Sequence, residues 1–253
     1  MGGPKLSVVL ACYNEEETLE ASFLELRSTL VRLDRSFEIV IVDDLSRDRT
    51  RVLIDQIVAA HRDLDVRVLL HDKNQGRGAT VTDGFRAARG EIAGYLDIDL
   101  EVHCRYIPSL LQAIEAGADV ATVRRIYALQ IRYLDRYFMS RGYSFLVRRL
   151  LGTRLYDTET GFKFFRRERL MEVIDAIEDP RWFWDTEFMI RAERSGRRIA
   201  EIPGAYVRRE DKTSTVSGLR DFTEKTGPPS SPDGRSVMLR TYSSICCDGV
   251  DCS

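Results

Sequence analysis

The sequence predicts an α/β fold, an open, mainly parallel sheet flanked by helices and built as a single domain. Two observations predict it. Short β-rich runs alternate with helical patterns through the first half of the chain, as in successive βαβ units. Polar motifs close those runs, at the strand ends where the connecting loops of an open sheet diverge and ligands collect. A length of 253 residues suits one large core better than two small ones.

The elements follow in order. Leu6 to Cys12 is apolar and bounded by polar residues, so it reads as a buried strand, and Glu15 to Leu33 follows with leucines at helical spacing. Phe37 to Val42 is a second buried strand and Thr50 to Ala60 a second helix. Val66 to Leu70 is a third strand, Gly76 to Ala88 a helix opened by glycines, and Ile92 to Leu96 a fourth strand ending in Asp97-Ile98-Asp99. A shorter strand is expected at Val120 to Val123.

Beyond it the character changes. Leu129 to Leu151, rich in Arg, Tyr, Phe and Leu, reads as one amphipathic helix or as two broken near Gly142. Helices are expected at Glu168 to Ile177 and Asp185 to Arg194, with short strands at Ile199 to Ile202 and Ala205 to Arg209. Residues 218–253 read as a poorly ordered tail, most plainly through Gly-Pro-Pro-Ser-Ser-Pro-Asp-Gly.

Composition bounds the function classes. A formal net charge of -2 provides no general attraction for nucleic acid or anionic lipid, so any basic function is local. No run approaches the roughly 18 apolar residues of a membrane-spanning helix, and Met1 to Lys5 leads straight into a strand, which points to a cytosolic chain. Cys12, Cys104, Cys246, Cys247 and Cys252 lack zinc-site spacing and read as reduced thiols.

Three motifs carry chemistry. Asp97, Asp99 and Glu101 stand at every second position after an apolar run. An extended chain would place them on one face, where their mutual repulsion calls for a hard cation such as Mg²⁺ or Mn²⁺. Asp43 and Asp44 close the second strand and suit hydrogen bonds from a base or ribose, while Ser46, Asp48 and Thr50 are helix-capping types. Tyr13 and Glu15, after the first strand, are placed to meet a nucleoside, and Glu16 and Glu17 suit a helix N-terminus. Gly76 and Gly78 either let backbone approach phosphate or merely permit a tight turn.

In the second half, Arg132, Arg136 and Ser140 repeat at i,i+4 and place several donors on one helical face, suited to a phosphate. Arg148 and Arg149 read as an exposed basic face. Asp185 is either a helix cap or a functional carboxylate, Glu187 shares its segment, and Trp182, Phe183 and Trp184 read as packing residues.

The ordered set CYNEEET, VDDLSRDRT, NQGRGAT and DID, continued by Ser140-Arg141-Gly142, DTETGFK at 157–163 and Trp184-Asp185-Thr186-Glu187, resembles family-two glycosyltransferases of the GT-A fold. Within them it is most similar to polyprenyl-phosphate sugar transferases of the dolichyl-phosphate mannose synthase type, over roughly Leu6 to Ser217.

The resemblance implies a domain over 1–217, with a nucleotide-sugar half to about residue 103 and an acceptor half beyond it. It implies nucleotide binding by Tyr13, Glu15, Asp43, Asp44 and Asp97, and metal binding by Asp97, Asp99 and Glu101. It places the acceptor phosphate at Arg125, Arg136 and Ser140, with Arg208 and Lys212 on a basic loop closing over the site.

Asp99, Arg136 and Glu187 form the candidate catalytic set. The expected activity is inverting, metal-dependent transfer from a nucleotide-diphosphate sugar to a polyprenyl phosphate. A hydroxyl acceptor and a catalytically idle relative are the alternatives. Peripheral contact with the cytosolic face of a membrane, or with a membrane-protein partner, follows from such an acceptor. Cys12, Ile98 and Glu101 depart from the commoner residues at their positions, and the cysteine-containing tail matches no recognised pattern.

Overall fold

A computed structural model describes residues 4–127, 142, 145 and 147–207. Seven strands form one sheet: β1 (Leu6–Cys12), β2 (Phe37–Asp43), β3 (Val66–Leu70), β4 (Ile92–Leu96), β5 (Val120–Tyr127), β6 (Phe162–Arg166) and β7 (Ile199–Tyr206). Their order is β3-β2-β1-β4-β6-β5-β7. The first four are parallel, β6 runs antiparallel to both β4 and β5, and β7 is parallel to β5. The strand order reverses direction about β1, where such sheets open a crevice between diverging loops.

Alternating side chains fill two cores. Val8, Leu10, Ile39 and Ile41 join Phe23 and Leu26 of α1 (Leu19–Val31), Ile54 of α2 (Thr50–Ala60) and Leu110 of α4 (Ile107–Glu115) on one face. Val9, Val40 and Val42 meet Phe85 of α3 (Arg77–Ala87), Leu170 of α5 (Arg167–Asp175) and Trp184 and Phe188 of α6 (Trp184–Arg194) on the other. Both faces are therefore buried, which is why β1 and β2 read as continuous apolar runs rather than alternating ones.

Several boundaries differ from expectation. The first helix starts at Leu19 rather than Glu15, because the backbone N–H groups of Asn14, Glu15 and Glu16 are taken by Ser46 Oγ, Thr50 Oγ1 and Asp48 Oδ2 at 2.9, 2.7 and 3.1 Å. Those bonds hold the preceding loop out of helical geometry. β5 runs on to Tyr127, and β7 continues through Pro203 and Gly204 as one strand in register with β5.

The structure adds α4, with proline in its first turn where no N–H bond is lost, and β6. Of the predicted 129–151 helix, residues 142, 145 and 147–151 are described and are helical. Arg136, Ser140, Arg208, Lys212 and the 218–253 tail lie outside the described residues.

Candidate active site

Three non-glycine residues among the described ones have positive φ, and each follows a strand at the carboxyl edge of the sheet: Asn14 (55°), Leu45 (61°) and Leu100 (52°). For leucine this left-handed conformation costs about 1 kcal/mol or more, so the strain is concentrated in the loops after β1, β2 and β4. The first two loops are stitched together by the bonds from residues 14–16 to Ser46, Asp48 and Thr50. Asp48, one residue before the N-cap of α2, also accepts the Thr50 N–H at 3.0 Å, so it serves the start of that helix as well as the first loop. Glu15 accepts a 2.6 Å bond from the Thr18 hydroxyl, and Tyr13 beside it is exposed.

The two aspartates closing β2 divide their tasks. Both are buried. Asp44 accepts backbone N–H bonds from Gln75 at 2.7 Å and Gly76 at 2.8 Å, and its Oδ1 faces His71 Nδ1 at 2.9 Å. It is the fastener of the loop that opens α3. Asp43 Oδ2 accepts from Arg51 Nε at 2.6 Å and Ser46 N at 3.1 Å, but Asp43 Oδ1 is buried with no hydrogen-bond partner. An unmatched buried acceptor is expensive to maintain without a ligand donor.

Gly76 and Gly78 serve packing. A Cβ on Gly78 would lie 2.6 Å from Trp184 Cβ, and one on Gly76 would lie 2.8 Å from the Pro180 carbonyl. That carbonyl accepts the Ala79 N–H at 2.9 Å, so a backbone donor in the first turn of α3 is already used by protein.

The three carboxylates after β4 do not share one extended face. Regular strand ends at Leu96, and the chain turns through Leu100, whose N–H bonds back to the Asp97 carbonyl. Asp97 Oδ1 accepts from Arg77 Nη2 at 2.6 Å and Nε at 3.2 Å. Asp99 Oδ1 accepts the Glu101 N–H at 3.2 Å. Glu101 Oε2 accepts the Tyr206 hydroxyl, and its carbonyl accepts the Val207 N–H, so this residue ties the turn to the end of β7. Gly161, whose carbonyl accepts the Asp97 N–H, leaves room for the Asp97 carboxylate, since a Cβ there would overlap it.

A buried ionic network lies behind Asp97. Arg77 Nη1 reaches Asp185 Oδ2 at 2.5 Å, and Lys163 Nζ reaches Asp185 Oδ1 at 2.7 Å. The Tyr95 hydroxyl also donates to Asp185 Oδ1, and the Thr160 carbonyl accepts from Lys163. Burial would lower the proton affinity of Arg77, but Asp185 and Asp97 outweigh it and raise that affinity further. Burial, aided by the Arg77 charge, holds Lys163 well below the ordinary lysine value. The guanidinium carbon of Arg77 lies 5.4 Å from the Tyr95 ring and 5.6 Å from the Trp182 ring.

Lys163 entered the sequence reading only as the end of the DTETGFK motif, with no role of its own, and Tyr95 was not singled out. A charge in so apolar a run as Phe-Lys-Phe-Phe is the signal that marks it, because such a group must find a buried partner.

Glu187 is fully buried and binds the N–H groups of Glu178 and Asp179, both at 3.0 Å, and Arg191 Nε at 2.7 Å. Its carboxylate closes the 178–179 loop onto α6, a structural task at the residue expected to be catalytic. Arg125 is likewise engaged: Asp157 accepts from Nε at 2.7 Å and Nη2 at 2.8 Å, and Glu159 Oε2 lies 3.5 Å away. Trp184 packs as expected, stacked on Phe188 at 5.4 Å, whereas Trp182 is exposed.

Among the described residues, Glu25, His103 and Cys104 bring ligand atoms within 4.8 Å of one another. Those atoms already have partners. His103 Nε2 lies 2.6 Å from Glu25, His103 Nδ1 accepts the Arg105 N–H, and Cys104 Sγ lies 3.1 Å from Thr29 Oγ1.

No described helix is long and apolar enough to cross a membrane. Residues 7–174 match the model of the family described as Glycosyl transferase family 2. The chain is 36% identical over 209 residues to Glycosyltransferase AglD of Haloferax volcanii, covering 79% of this chain and 33% of that one. It is 32% identical over 216 residues to the undecaprenyl-phosphate 4-deoxy-4-formamido-L-arabinose transferase of Pseudomonas aeruginosa, covering 85% of this chain and 61% of the other. The chain thus spans about a third of the first relative's length and less than two thirds of the second's.

In overall fold it is similar to glucosyl-3-phosphoglycerate synthase from Mycobacterium tuberculosis in complex with Mn²⁺, UDP and glucosyl-3-phosphoglycerate. That match has a TM-score of 0.67 at 21% identity and covers 97% of this chain and 81% of that one. The same enzyme with Mg²⁺ and UDP gives a TM-score of 0.66 at 22% identity, covering 97% and 80%. With a family model matched over most of its length and two relatives above 30% identity, this chain belongs to glycosyl transferase family 2.

Proposed function

We propose that this chain transfers a sugar from a nucleotide-diphosphate sugar to a polyprenyl phosphate by a single displacement that inverts the anomeric centre. The carrying observation is the pairing, at one edge of the sheet, of an unmatched buried acceptor on Asp43 with the Asp97–Asp99 turn beside Gly161. Asp43 Oδ1 suits a ring N–H of the nucleotide base, and exposed Tyr13 stands on the adjoining loop. Asp44 then serves indirectly, by holding the loop at Gln75 and Gly76.

Asp97 and Asp99 fit a hard divalent cation: both are oxygen donors, both bonds from Arg77 to Asp97 fall on Oδ1, and Gly161 leaves Asp97 its space. When bound, Mg²⁺ or Mn²⁺ supplies charge neutralisation to the departing diphosphate. Glu101, tied to Tyr206, sits at the margin of that set.

The acceptor class follows from Asp185. Both its oxygens are already engaged, Oδ2 by Arg77 and Oδ1 by Lys163 and the Tyr95 hydroxyl, so it is poorly placed to take a proton from an acceptor hydroxyl. A sugar hydroxyl needs a base, whereas a phosphate monoester, with a second pKa of about 6, is already largely ionised near neutrality. The similarity to an undecaprenyl-phosphate transferase supports the same acceptor class. Arg136, Ser140, Arg208 and Lys212 are proposed to position that phosphate, with Arg125 orienting the strand end through Asp157. Such an acceptor places the chain peripherally on the cytosolic face of a membrane.

The test is transfer from labelled UDP- and GDP-sugars to undecaprenyl or dolichyl phosphate with Mn²⁺, in the wild type and in Asp99→Asn. The proposal expects metal-dependent product and a fall of about 100-fold or more in the variant. Equal rates in both proteins, or transfer only to hydroxyl acceptors, would defeat it.

A further inference from the structure

Arg77 forks between two carboxylates that come from distant parts of the chain, Asp97 after β4 and Asp185 in the first turn of α6. The fork is unequal. Asp185 is buried and has a second partner, Lys163, on its other oxygen, whereas the Asp97 side chain is about half exposed and faces the strand-end turn. We infer that Arg77 is a resident counter-ion that occupies Asp97 before a divalent cation arrives, yields Asp97 to that cation, and stays anchored on Asp185 facing the diphosphate. This inference rests on the metal reading of Asp97 and Asp99.

The physical case has three parts. Without a cation, Asp97, Asp99 and Asp185 would repel one another, and a guanidinium between two of them removes most of that repulsion. When a dication binds Asp97, its charge and that of Arg77 compete for one carboxylate, and the double charge on the ion wins at a hard oxygen site. The Asp185 bond and the flanking Tyr95 and Trp182 rings then keep the freed guanidinium near its present place, where its planar fork matches phosphate oxygens. Lys163 makes the exchange one-sided, because its bond to Asp185 Oδ1 keeps that carboxylate in position while Asp97 changes partner.

The inference is tested by Mn²⁺ binding, followed by electron paramagnetic resonance of the free ion, to the intact protein without nucleotide. It is then repeated as UDP and GDP binding in saturating Mn²⁺. Arg77→Ala should bind Mn²⁺ about tenfold more tightly than wild type, and should bind the nucleoside diphosphate about tenfold more weakly. Arg77→Lys keeps the charge without the fork, so its Mn²⁺ affinity should stay near wild type while nucleotide affinity still falls. That variant carries the test if the alanine form does not fold.

Wild-type Mn²⁺ binding that is unchanged or weakened in Arg77→Ala would overturn the exchange and leave the metal reading standing. Mn²⁺ binding absent from wild type and both variants, even with nucleotide, would sink the metal reading itself, and the exchange with it.

Discussion

Arg77 and Asp185 lie 108 positions apart in the sequence and meet at 2.5 Å, joining the start of α3 to the start of α6. The contact exists because Gly78 lets the Trp184 side chain lie directly against the first turn of α3. One glycine thus sets the distance between the loop that opens α3 and the helix that carries Asp185.

Gly161→Ala offers a selective lesion. The added methyl would press on the tips of Asp97 and Arg77, which can swing aside, rather than on backbone. Thermal stability should change little, while Mn²⁺-dependent UDP or GDP affinity should drop about tenfold by calorimetry. Unaltered nucleotide affinity would show that Asp97 is not needed in its present position.

Glu187→Ala should act on stability. It removes the buried carboxylate nearest Arg191, leaving Glu178 at 3.5 Å, and strands two loop N–H groups, a loss of about 3 kcal/mol. Urea unfolding reads this directly. A variant of wild-type stability with abolished transfer would favour the catalytic assignment and reject the structural one.

Asp157 gives a pH signature. Burial alone would raise its pKa, but the Arg125 charge and the hydrogen bonds it accepts overcome this and hold it below the usual 3.8. A carboxylate depressed in the folded state adds stability that is complete above its unfolded value and is lost as pH falls through the folded one. Asp157→Asn should therefore lose about 3 kcal/mol at neutral pH, with a shallower decline than wild type below about pH 4. Parallel acid unfolding curves would contradict the pairing.

Asp44→Asn should loosen one loop without unfolding the sheet. Exchanging a carboxylate for an amide weakens two charge-assisted bonds from Gln75 and Gly76, by about 1–2 kcal/mol together. Hydrogen exchange at those two amides should quicken by about tenfold. Unchanged protection would mean that the loop is held by its other contacts.

β1, β2 and β4 were legible because each is a buried parallel strand and so a largely apolar run between polar breaks, while β3, a half-exposed edge strand, was legible from its β-branched and leucine content. The strand-end aspartates were legible for a similar reason, since clustered acids after such runs have few structural explanations. β6 was not, because Lys163 breaks the apolar pattern and its partner Asp185 lies 22 positions away. Glu101 was misplaced for a local reason: alternation predicts a shared face only while the chain stays extended, and Leu100 turns it. Asp44, Arg125 and Glu187 were seen correctly as charged groups in significant motifs. Sequence spacing could not show that each already had protein partners.

By itself, then, the sequence determined the layered α/β architecture, the family and the acidic edge at which its chemistry is expected, because these depend on local apolar runs and on residue types at their ends. Only the tertiary structure decided which of those charges remain available to a ligand. That choice depends on which partners the fold brings within hydrogen-bond distance from far along the chain: Gln75 to Asp44, Asp157 to Arg125, and Arg77 to both Asp97 and Asp185.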